Sequence, residues 1–275
     1  MRANWPRSGQ ADDVVIPVHD RNPTRRIPIV TWSLIAANVV VFLISPVASI
    51  PGTHPDIQQL CHQQAFFLHW GAVPYELTHN RQLDYSIGNA ADPTQCFKQI
   101  PPAYTKIPAL SALTNMFVHG GWLHLLGNML FLVIFGNNVE DRFGRIRYLL
   151  FYLAVGMAAT YGYALTGPNS QQTLVGASGA IAGVLGAYLV LYPKARVVSL
   201  VPFLLFLPIR LPAWIVLVFW FVLQAVYAEG AGVDGGGGVA YLVHVIGFGL
   251  GVLAGFAARP RKRRPPPPVY GQYRY

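Results

Sequence analysis

The stretch LVGASGAIAGVLGAYLVLY, residues 174–192, is apolar or small at nearly every position and is long enough to cross a bilayer. At its head a serine, Ser178, stands among glycines in the sequence GASG, residues 176–179. Such a cluster either lets two membrane helices pack closely or makes a reactive serine accessible to a substrate. Both interpretations place Ser178 at the start of a membrane helix.

The composition is that of a membrane protein. Of the 275 residues, 53% are hydrophobic and only 11% are charged, whereas about a quarter of the residues of a soluble globular protein are charged. The net charge of +9 is concentrated in loops beside apolar runs, which argues against a nucleic-acid partner. The polar first 26 residues and the long apolar run after them do not form a cleavable signal peptide.

Six apolar runs are candidates for transmembrane helices, since a span needs about 20 apolar residues. They divide the chain into a tail, a membrane domain with one long loop, and a second tail that is basic and proline-rich. The runs are approximately 27–50, 113–139, 148–165, 176–192, 211–227 and 238–258. The parts are the tail 1–26, the membrane domain 27–258 with its loop 51–110, and the tail 259–275.

The positions of Lys and Arg predict the orientation, because cytoplasmic loops carry an excess of both. With both termini in the cytoplasm, 17 of the 20 basic residues lie on that side. The cations of the tail 259–275 would then lie near anionic lipid. The other three, Arg81, Lys98 and Lys106, share the long outer loop. The sequence therefore predicts an all-α membrane protein, a six-transmembrane-helix bundle with both termini cytoplasmic.

The long outer loop also contains both cysteines of the chain, Cys61 and Cys96. Disulfides persist outside a bacterial cytoplasmic membrane, so we expect a Cys61–Cys96 bridge. Two unpaired thiols are the alternative.

Polar side chains within the apolar runs are candidates for function, because lipid makes them costly. His124 and Asn128 are four residues apart and share one helix face. His119 lies five residues before His124, near the outer end of the predicted helix. Together they are suitable hydrogen-bond donors. The alternative is that they only join neighbouring helices.

Ser178 and His244 are the other polar candidates. Ser178 lies at a helix N-terminus, where free amide groups and the helix dipole favour negative charge. If the two helices pack along their small residues, Ser178 and His244 come within hydrogen-bond reach; a serine bonded to its own helix and a structural histidine are the alternatives. The glycines spaced by four residues are Gly179 and Gly183 in the first helix, and Gly247, Gly251 and Gly255 in the second.

These side chains supply the parts of acyl transfer: a nucleophile, Ser178; a base, His244; and oxyanion donors, His124 and Asn128. The six apolar runs contain no acidic residue, so the sequence predicts a Ser–His pair without a third carboxylate. This chemistry needs neither a cofactor nor a metal.

At this point the chain resembles the rhomboid family of intramembrane serine proteases, over about residues 27–258. The resemblance implies that the Ser178 amide, His124 and Asn128 hold the oxyanion, with His119 and Gly176 in support. Four motifs carry it: HGGWLHLLGN fits H-x4-H-x3-N on His119, His124 and Asn128; GASG fits G-x-S-G on Ser178; HVIG fits H-x-x-G on His244; and VEDRFG resembles the E-x-R turn, on Glu140 and Arg142.

Two features depart from the family's pattern. Some members have an aromatic residue four positions after the nucleophile that packs on the catalytic imidazole; here Ala182 takes that place, and Phe248 is the candidate substitute. The Trp-Arg pair common in the first outer loop is missing, since Trp70 is followed by Gly71.

The resemblance implies an endopeptidase that cleaves transmembrane or membrane-proximal segments of other membrane proteins. We expect a multi-pass protein of the bacterial cytoplasmic (inner) membrane whose partners are the bilayer and transmembrane protein substrates. The alternative is a rhomboid-like, non-proteolytic binder or escort of membrane helices, against which the presence of Ser178 and His244 argues. A transporter ranks last, because no paired charge lies deeper in the bundle.

Overall fold

The computed structural model describes residues 16–20, 24–48, 57–84, 86–87, 97–98, 104–201, 207–231 and 241–259. Within these ranges the chain is mostly helical. The helices are α1 (Ile29–Ile44), α2 (Ile57–Trp70), α3 (Pro74–His79), α4 (Pro108–Thr114), α5 (Trp122–Phe131), α6 (Asn137–Phe143), α7 (Arg145–Thr166), α8 (Ser178–Leu191), α9 (Ala213–Ala231) and α10 (Tyr241–Ala258). The strands are β1 (Ile16–Asp20), β2 (Ser86–Ile87), β3 (Phe97–Lys98), β4 (Arg196–Val201) and β5 (Leu207–Pro212).

Within the described residues, six apolar helices lie close to the six apolar runs of the sequence. Three are long and apolar enough to cross a membrane, and in the first of them a π-helical turn, Leu132–Gly136, joins α5 to α6. The remaining three are apolar but shorter. The long ones are Trp122–Phe143, Arg145–Thr166 and Tyr241–Ala258, and the shorter ones are Ile29–Ile44, Ser178–Leu191 and Ala213–Val226.

Helix α8 is the centre of the bundle, and every residue from Gly179 to Tyr188 is buried. A helix that is apolar on all sides is buried on all sides. Its glycine face packs against that of α10 so closely that a Cβ atom at Gly251 would overlap the carbonyl oxygen of Gly183. A Cβ atom at Gly247 would overlap the Gly179 carbonyl oxygen in the same way.

Two charged side chains tie the ends of distant helices together. Glu140, 2% exposed, accepts hydrogen bonds from the backbone N–H groups of Val30 at 3.0 Å and Thr31 at 2.7 Å, at the start of α1. These N–H groups have no partner within their own helix. Arg142 donates to the carbonyl oxygen of Ala258, at the end of α10, over 2.9 Å. Helix α6, which carries both side chains, therefore joins the first helix to the last.

The described residues of the predicted long loop 51–110 contain α2, α3, the start of α4 and a two-stranded antiparallel ribbon, β2–β3. Its centre is a buried ion pair in which Lys106 Nζ lies 2.6 Å from Glu76 Oε2, with both side chains 3% exposed. The ammonium group also donates to the carbonyl oxygens of Leu68 at 2.6 Å and Gly71 at 2.8 Å. Burial lowers the pKa of Lys106, and the hydrogen bond to Glu76 opposes this shift. Lys106 is thus part of a packed unit.

The predicted all-α class is incomplete, because a three-stranded antiparallel sheet in the order β1-β4-β5 accompanies the helices. Strands β4 and β5 lie mostly between the predicted runs 176–192 and 211–227, in residues for which no regular structure was predicted. Their pairing aligns Val197 with Leu211 and Ser199 with Ile209. Prolines exclude a helix there, and β-branched residues favour strands. Strand β1 belongs to the predicted tail 1–26, most of which lies outside the described residues, as does the tail 259–275 after Arg259.

The predicted helix 113–139 is wrong in its first third, residues 113–121. Helix α4 ends at Thr114, a 3-10 turn covers Asn115–Phe117, and α5 begins only at Trp122. His119 therefore lies before the helix that carries His124, in a connection that includes two glycines. Glycine destabilises a helix interior by about 1 kcal/mol relative to alanine, which favours a break here.

Of the two cysteines predicted to form a disulfide, only Cys61 lies within the described residues. Cys61 lies in α2, is 2% exposed and is disulfide-bonded. Cys96, its predicted partner, lies outside the described residues.

The contact between α8 and α10 generates a stability prediction. Gly251→Val should lower the free energy of unfolding by about 1–3 kcal/mol, because the valine side chain would have to push the α8 backbone away. The measurement is thermal unfolding in detergent micelles. Gly249→Val is the matched control, since a Cβ atom there meets nothing within 4 Å. Equal melting temperatures for the two variants would contradict the proposed tightness of this contact.

Candidate active site

Ser178 and His244 meet where α8 and α10 begin. Ser178 is the first residue of α8, and His244 lies in the first turn of α10. The Ser178 Oγ atom is 2.8 Å from His244 Nε2, within hydrogen-bond distance. The contact between Gly179 and Gly247 lies directly below this pair and brings the two backbones close enough for it.

The other ring nitrogen of His244 also has a partner. His244 Nδ1 is 2.6 Å from the Oε1 atom of Gln224, on α9. Sequence reasoning missed Gln224, although it is an amide inside the apolar run 211–227. Polarity within a predicted span was the signal that could have identified it.

Aromatic rings surround the His244 imidazole. The Trp220 ring centroid lies 6.0 Å from it, with the planes 35° apart, and the Tyr241 ring meets it edge-on at 6.2 Å. Phe248, the substitute suggested by the sequence, packs against Trp220, at 6.1 Å between ring centroids, and stacks on Phe221 at 4.7 Å. Ala182 is fully buried beside Gly247, where the close helix contact leaves no room for an aromatic ring.

His124 directs one ring nitrogen towards Ser178. Its Nδ1 atom accepts a hydrogen bond from the backbone N–H of Gly120 at 3.2 Å, so in the neutral ring the proton lies on Nε2. A Cβ atom added to Gly176 would lie 2.7 Å from His124 Nε2 and 3.6 Å from Ser178 Oγ. His124 Nε2 is thus a hydrogen-bond donor in the same cavity as the serine, on the other side of Gly176 Cα.

Asn128 and His119 have different relations to this donor. Asn128 is 7% exposed, lines the same cavity, and donates one amide hydrogen to the His124 carbonyl oxygen at 2.7 Å. The second amide hydrogen remains for a ligand. His119 is 1% exposed and packs edge-on against the His124 ring, with 5.1 Å between centroids. It therefore supports His124 from behind.

Two further polar residues hold the GASG segment, and sequence reasoning missed both. The Asn115 carbonyl oxygen accepts a hydrogen bond from Gly176 N at 2.9 Å. The Asn115 side-chain amide donates to Thr160 Oγ1 at 3.2 Å, and this hydroxyl donates to the Gly156 carbonyl oxygen at 3.0 Å. The 3-10 turn after α4 and helix α7 therefore fix the backbone before Ser178.

A cavity of about 600 Å³ opens above these residues. This is within the usual range of ligand pockets, about 300–1,000 Å³. Its polar groups converge on Ser178, and the rest of its wall is mostly apolar. Among the described residues, no group of three His, Cys, Asp or Glu side chains is arranged to hold a metal ion. The apolar wall includes Leu123, Phe131, Ile181, Leu185, Trp220 and Val243.

Comparison with known proteins gives a consistent set of matches. The family model for the Rhomboid domain matches residues 109–261. The chain is 39% identical to RHOMBOID-like protein 5 of Arabidopsis thaliana over 77 residues, which are 28% of this chain and 25% of that protein. It is 34% identical to RHOMBOID-like protein 4 of the same plant over 151 residues, 52% of this chain and 32% of that protein. It is 38% identical to the Putative rhomboid protease YdcA of Bacillus subtilis (strain 168) over 77 residues, 28% of this chain and 38% of that protein. The chain thus spans well under two thirds of the length of these relatives.

The position of Gly176 generates a prediction for the site. Its φ angle is +124°, a conformation open to glycine, and a side chain there would collide with His124 Nε2. Gly176→Ala should therefore displace His124. The rate at which a serine-reactive fluorophosphonate labels Ser178 should fall about tenfold, which corresponds to an activation free energy higher by about 1.4 kcal/mol. Labelling rates in micelles measure it. Gly249→Ala, where a Cβ atom meets open space, should label normally; equal rates for the two variants would refute this geometry.

Proposed function

This chain belongs to the rhomboid family, and from that premise we propose that it is an intramembrane serine endopeptidase with Ser178 as nucleophile and His244 as general base. The observation that carries the proposal is the 2.8 Å contact between Ser178 Oγ and His244 Nε2 at the floor of a largely apolar cavity. A nucleophile within hydrogen-bond reach of its base is the arrangement that acyl transfer requires.

The proposed reaction begins with a neutral His244. The Ser178 Oγ atom attacks the scissile carbonyl carbon while its proton moves to His244 Nε2. The carbonyl oxygen becomes an oxyanion, held by the Ser178 backbone N–H, His124 Nε2–H and the free Asn128 amide hydrogen. His244 then gives the proton to the leaving amine, and the peptide C–N bond breaks to leave an acyl-enzyme. Water hydrolyses this ester by the same route, again with His244 as base.

The proposed substrates are transmembrane or membrane-proximal segments of other membrane proteins. Support comes from the apolar wall of the cavity, which suits side chains that come from a bilayer. A helical segment must partly unwind before its carbonyl groups reach Ser178, and glycine or proline near the cut lowers that cost. The names of two relatives from Bacillus subtilis (strain 168), the Putative rhomboid protease YdcA and the Rhomboid protease GluP, agree with proteolysis.

The protein is a multi-pass membrane protein, and we propose that it spans the bilayer six times with both termini in the cytoplasm. The six apolar helices support this count, with α1, α8 and α9 shorter than the others. The proposed parts remain the tail 1–26, the membrane domain 27–258 and the tail 259–275. The proposed location is a bacterial cytoplasmic membrane, where the disulfide-bonded Cys61 would face the oxidising side.

The mechanism predicts how single substitutions affect cleavage of a helix-weakened membrane substrate. Ser178→Ala and His244→Ala should each abolish it, and the double variant should be no worse, because the pair acts as one unit. Asn128→Ala should retain part of the activity, with kcat lower by about 10²–10³-fold, since two oxyanion donors remain. Cleavage is followed on gels with the purified protein in micelles. Wild-type rates in the folded Ser178→Ala variant would show that Ser178 is not the nucleophile, and a folded wild type that binds the substrate without cleaving it would favour the non-proteolytic helix binder.

The proposed orientation has its own test. A reporter fused after Tyr275 should report a cytoplasmic location, and one inserted near Asn89 should report the opposite side, because the basic residues divide 17 to 3 between the two sides. Paired alkaline phosphatase and fluorescent-protein fusions give opposite signals on the two sides and serve as mutual controls. A C-terminus outside the cytoplasm would overturn the six-span arrangement.

A further inference from the structure

We propose that Gln224 is a positioning residue that holds the His244 imidazole in the tautomer and orientation needed to activate Ser178. The inference rests on the proposed function and deepens it. The sequence alone predicts a two-residue mechanism, whereas this hydrogen bond adds a third member that carries no charge.

The direction of the hydrogen bonds follows from the chemistry of the pair. Ser178 can donate its hydroxyl proton only if His244 Nε2 is unprotonated, and in a neutral imidazole the proton then lies on Nδ1. That N–H needs an acceptor, and the Gln224 amide oxygen lies 2.6 Å away. His244 Nδ1–H therefore donates to Gln224 Oε1, and Ser178 Oγ–H donates to His244 Nε2. An unpartnered Nδ1 would leave the opposite tautomer equally accessible, and that tautomer cannot accept the proton.

The placement of Gln224 on α9 is costly unless the amide has such a partner. Apart from two tryptophans, it is the single residue of 213–226 whose side chain carries a hydrogen-bonding group. An unsatisfied amide within a bilayer costs several kcal/mol. Its partly buried side chain turns towards α10, where His244 satisfies the amide oxygen.

A second contact from the same helix face strengthens the assignment. Trp220 lies four residues before Gln224, so both side chains project from one face of α9. The Trp220 ring packs against the imidazole, and the Gln224 oxygen binds its edge. Helix α9 therefore fixes both the plane of the ring and its rotation within that plane.

An amide does this at a lower cost than a carboxylate. A buried carboxylate must be desolvated, which costs several kcal/mol for each ion. The amide oxygen has a dipole that fixes the tautomer and favours the imidazolium formed during the reaction. Gln224 thus does part of the work that an aspartate does in a serine protease triad, without a buried charge.

The test compares two replacements of Gln224 in the full-length protein in micelles. Gln224→Met keeps the size and removes the acceptor, so kcat should fall about 10–100-fold, the effect of losing a hydrogen bond to a charged group. KM should stay within about twofold, because Gln224 does not line the cavity. Gln224→Glu restores an acceptor oxygen, so its fall in kcat relative to the wild type should be at most about the square root of the fall in Gln224→Met, for example about tenfold where that variant loses about 100-fold. Gln64→Met, the same change at an exposed position on α2, should match the wild type.

The outcomes separate this inference from the proposed function. If the wild type cleaves and Gln224→Met cleaves equally fast, or if Gln224→Glu is as slow as Gln224→Met, the positioning role is refuted and the protease remains. A raised KM with unchanged kcat would make Gln224 a substrate contact and also refute it. If the wild type is as inactive as Ser178→Ala, both proposals fail together. Melting temperatures check folding, and Gln224→Leu takes the place of Gln224→Met if that variant does not fold.

Discussion

The close contact between the glycine faces of α8 and α10 is the constraint on which the rest of the structure depends. Two helices that approach within reach of each other's backbone cannot slide or rotate without a collision, so their register is fixed. Ser178 and His244 stand one and three residues from the uppermost glycine contact, and their separation follows from it. Neither side chain has to be held by a flexible loop. The hydrogen bond between them is a result of helix packing.

Much of this arrangement could be predicted from the sequence, and the reason is periodicity. Glycines four residues apart in two apolar runs indicate one close contact, and polar residues beside that contact indicate the site. The lengths of the apolar runs predicted six apolar helices at nearly the right places. This criterion failed at His119, where a single apolar run conceals a break at two glycines, because hydrophobicity alone does not reveal where a helix stops. It also failed for β4 and β5, whose apolar residues serve a sheet.

The site residues that were not predicted from the sequence were missed for a different reason. Gln224, Trp220, Asn115 and Thr160 act through contacts with residues that are far away in the chain, and no local pattern identifies their partners. Gln224 could have been noted as a costly amide in a membrane helix, but its relation to His244 needs the angle between α9 and α10. Trp220 looks like any lipid-facing aromatic residue until its ring is seen beside the imidazole. The segment around Lys106 is similar: a basic residue in a loop gives no sign that it will be buried with Glu76.

The sheet β1-β4-β5 gives the amino-terminal segment a role that its sequence conceals. Strand β4 follows closely after α8, which carries Ser178, and β5 runs directly into α9, which carries Gln224 and Trp220. Strand β1 covers one edge of this hairpin by antiparallel pairing with β4. A shortened chain that starts at residue 27 would leave the β4 edge open, and an open strand edge is a template for pairing with another chain. Trimming this end, a routine step in producing membrane proteins, would therefore favour self-association through the uncovered strand while leaving every apolar helix intact.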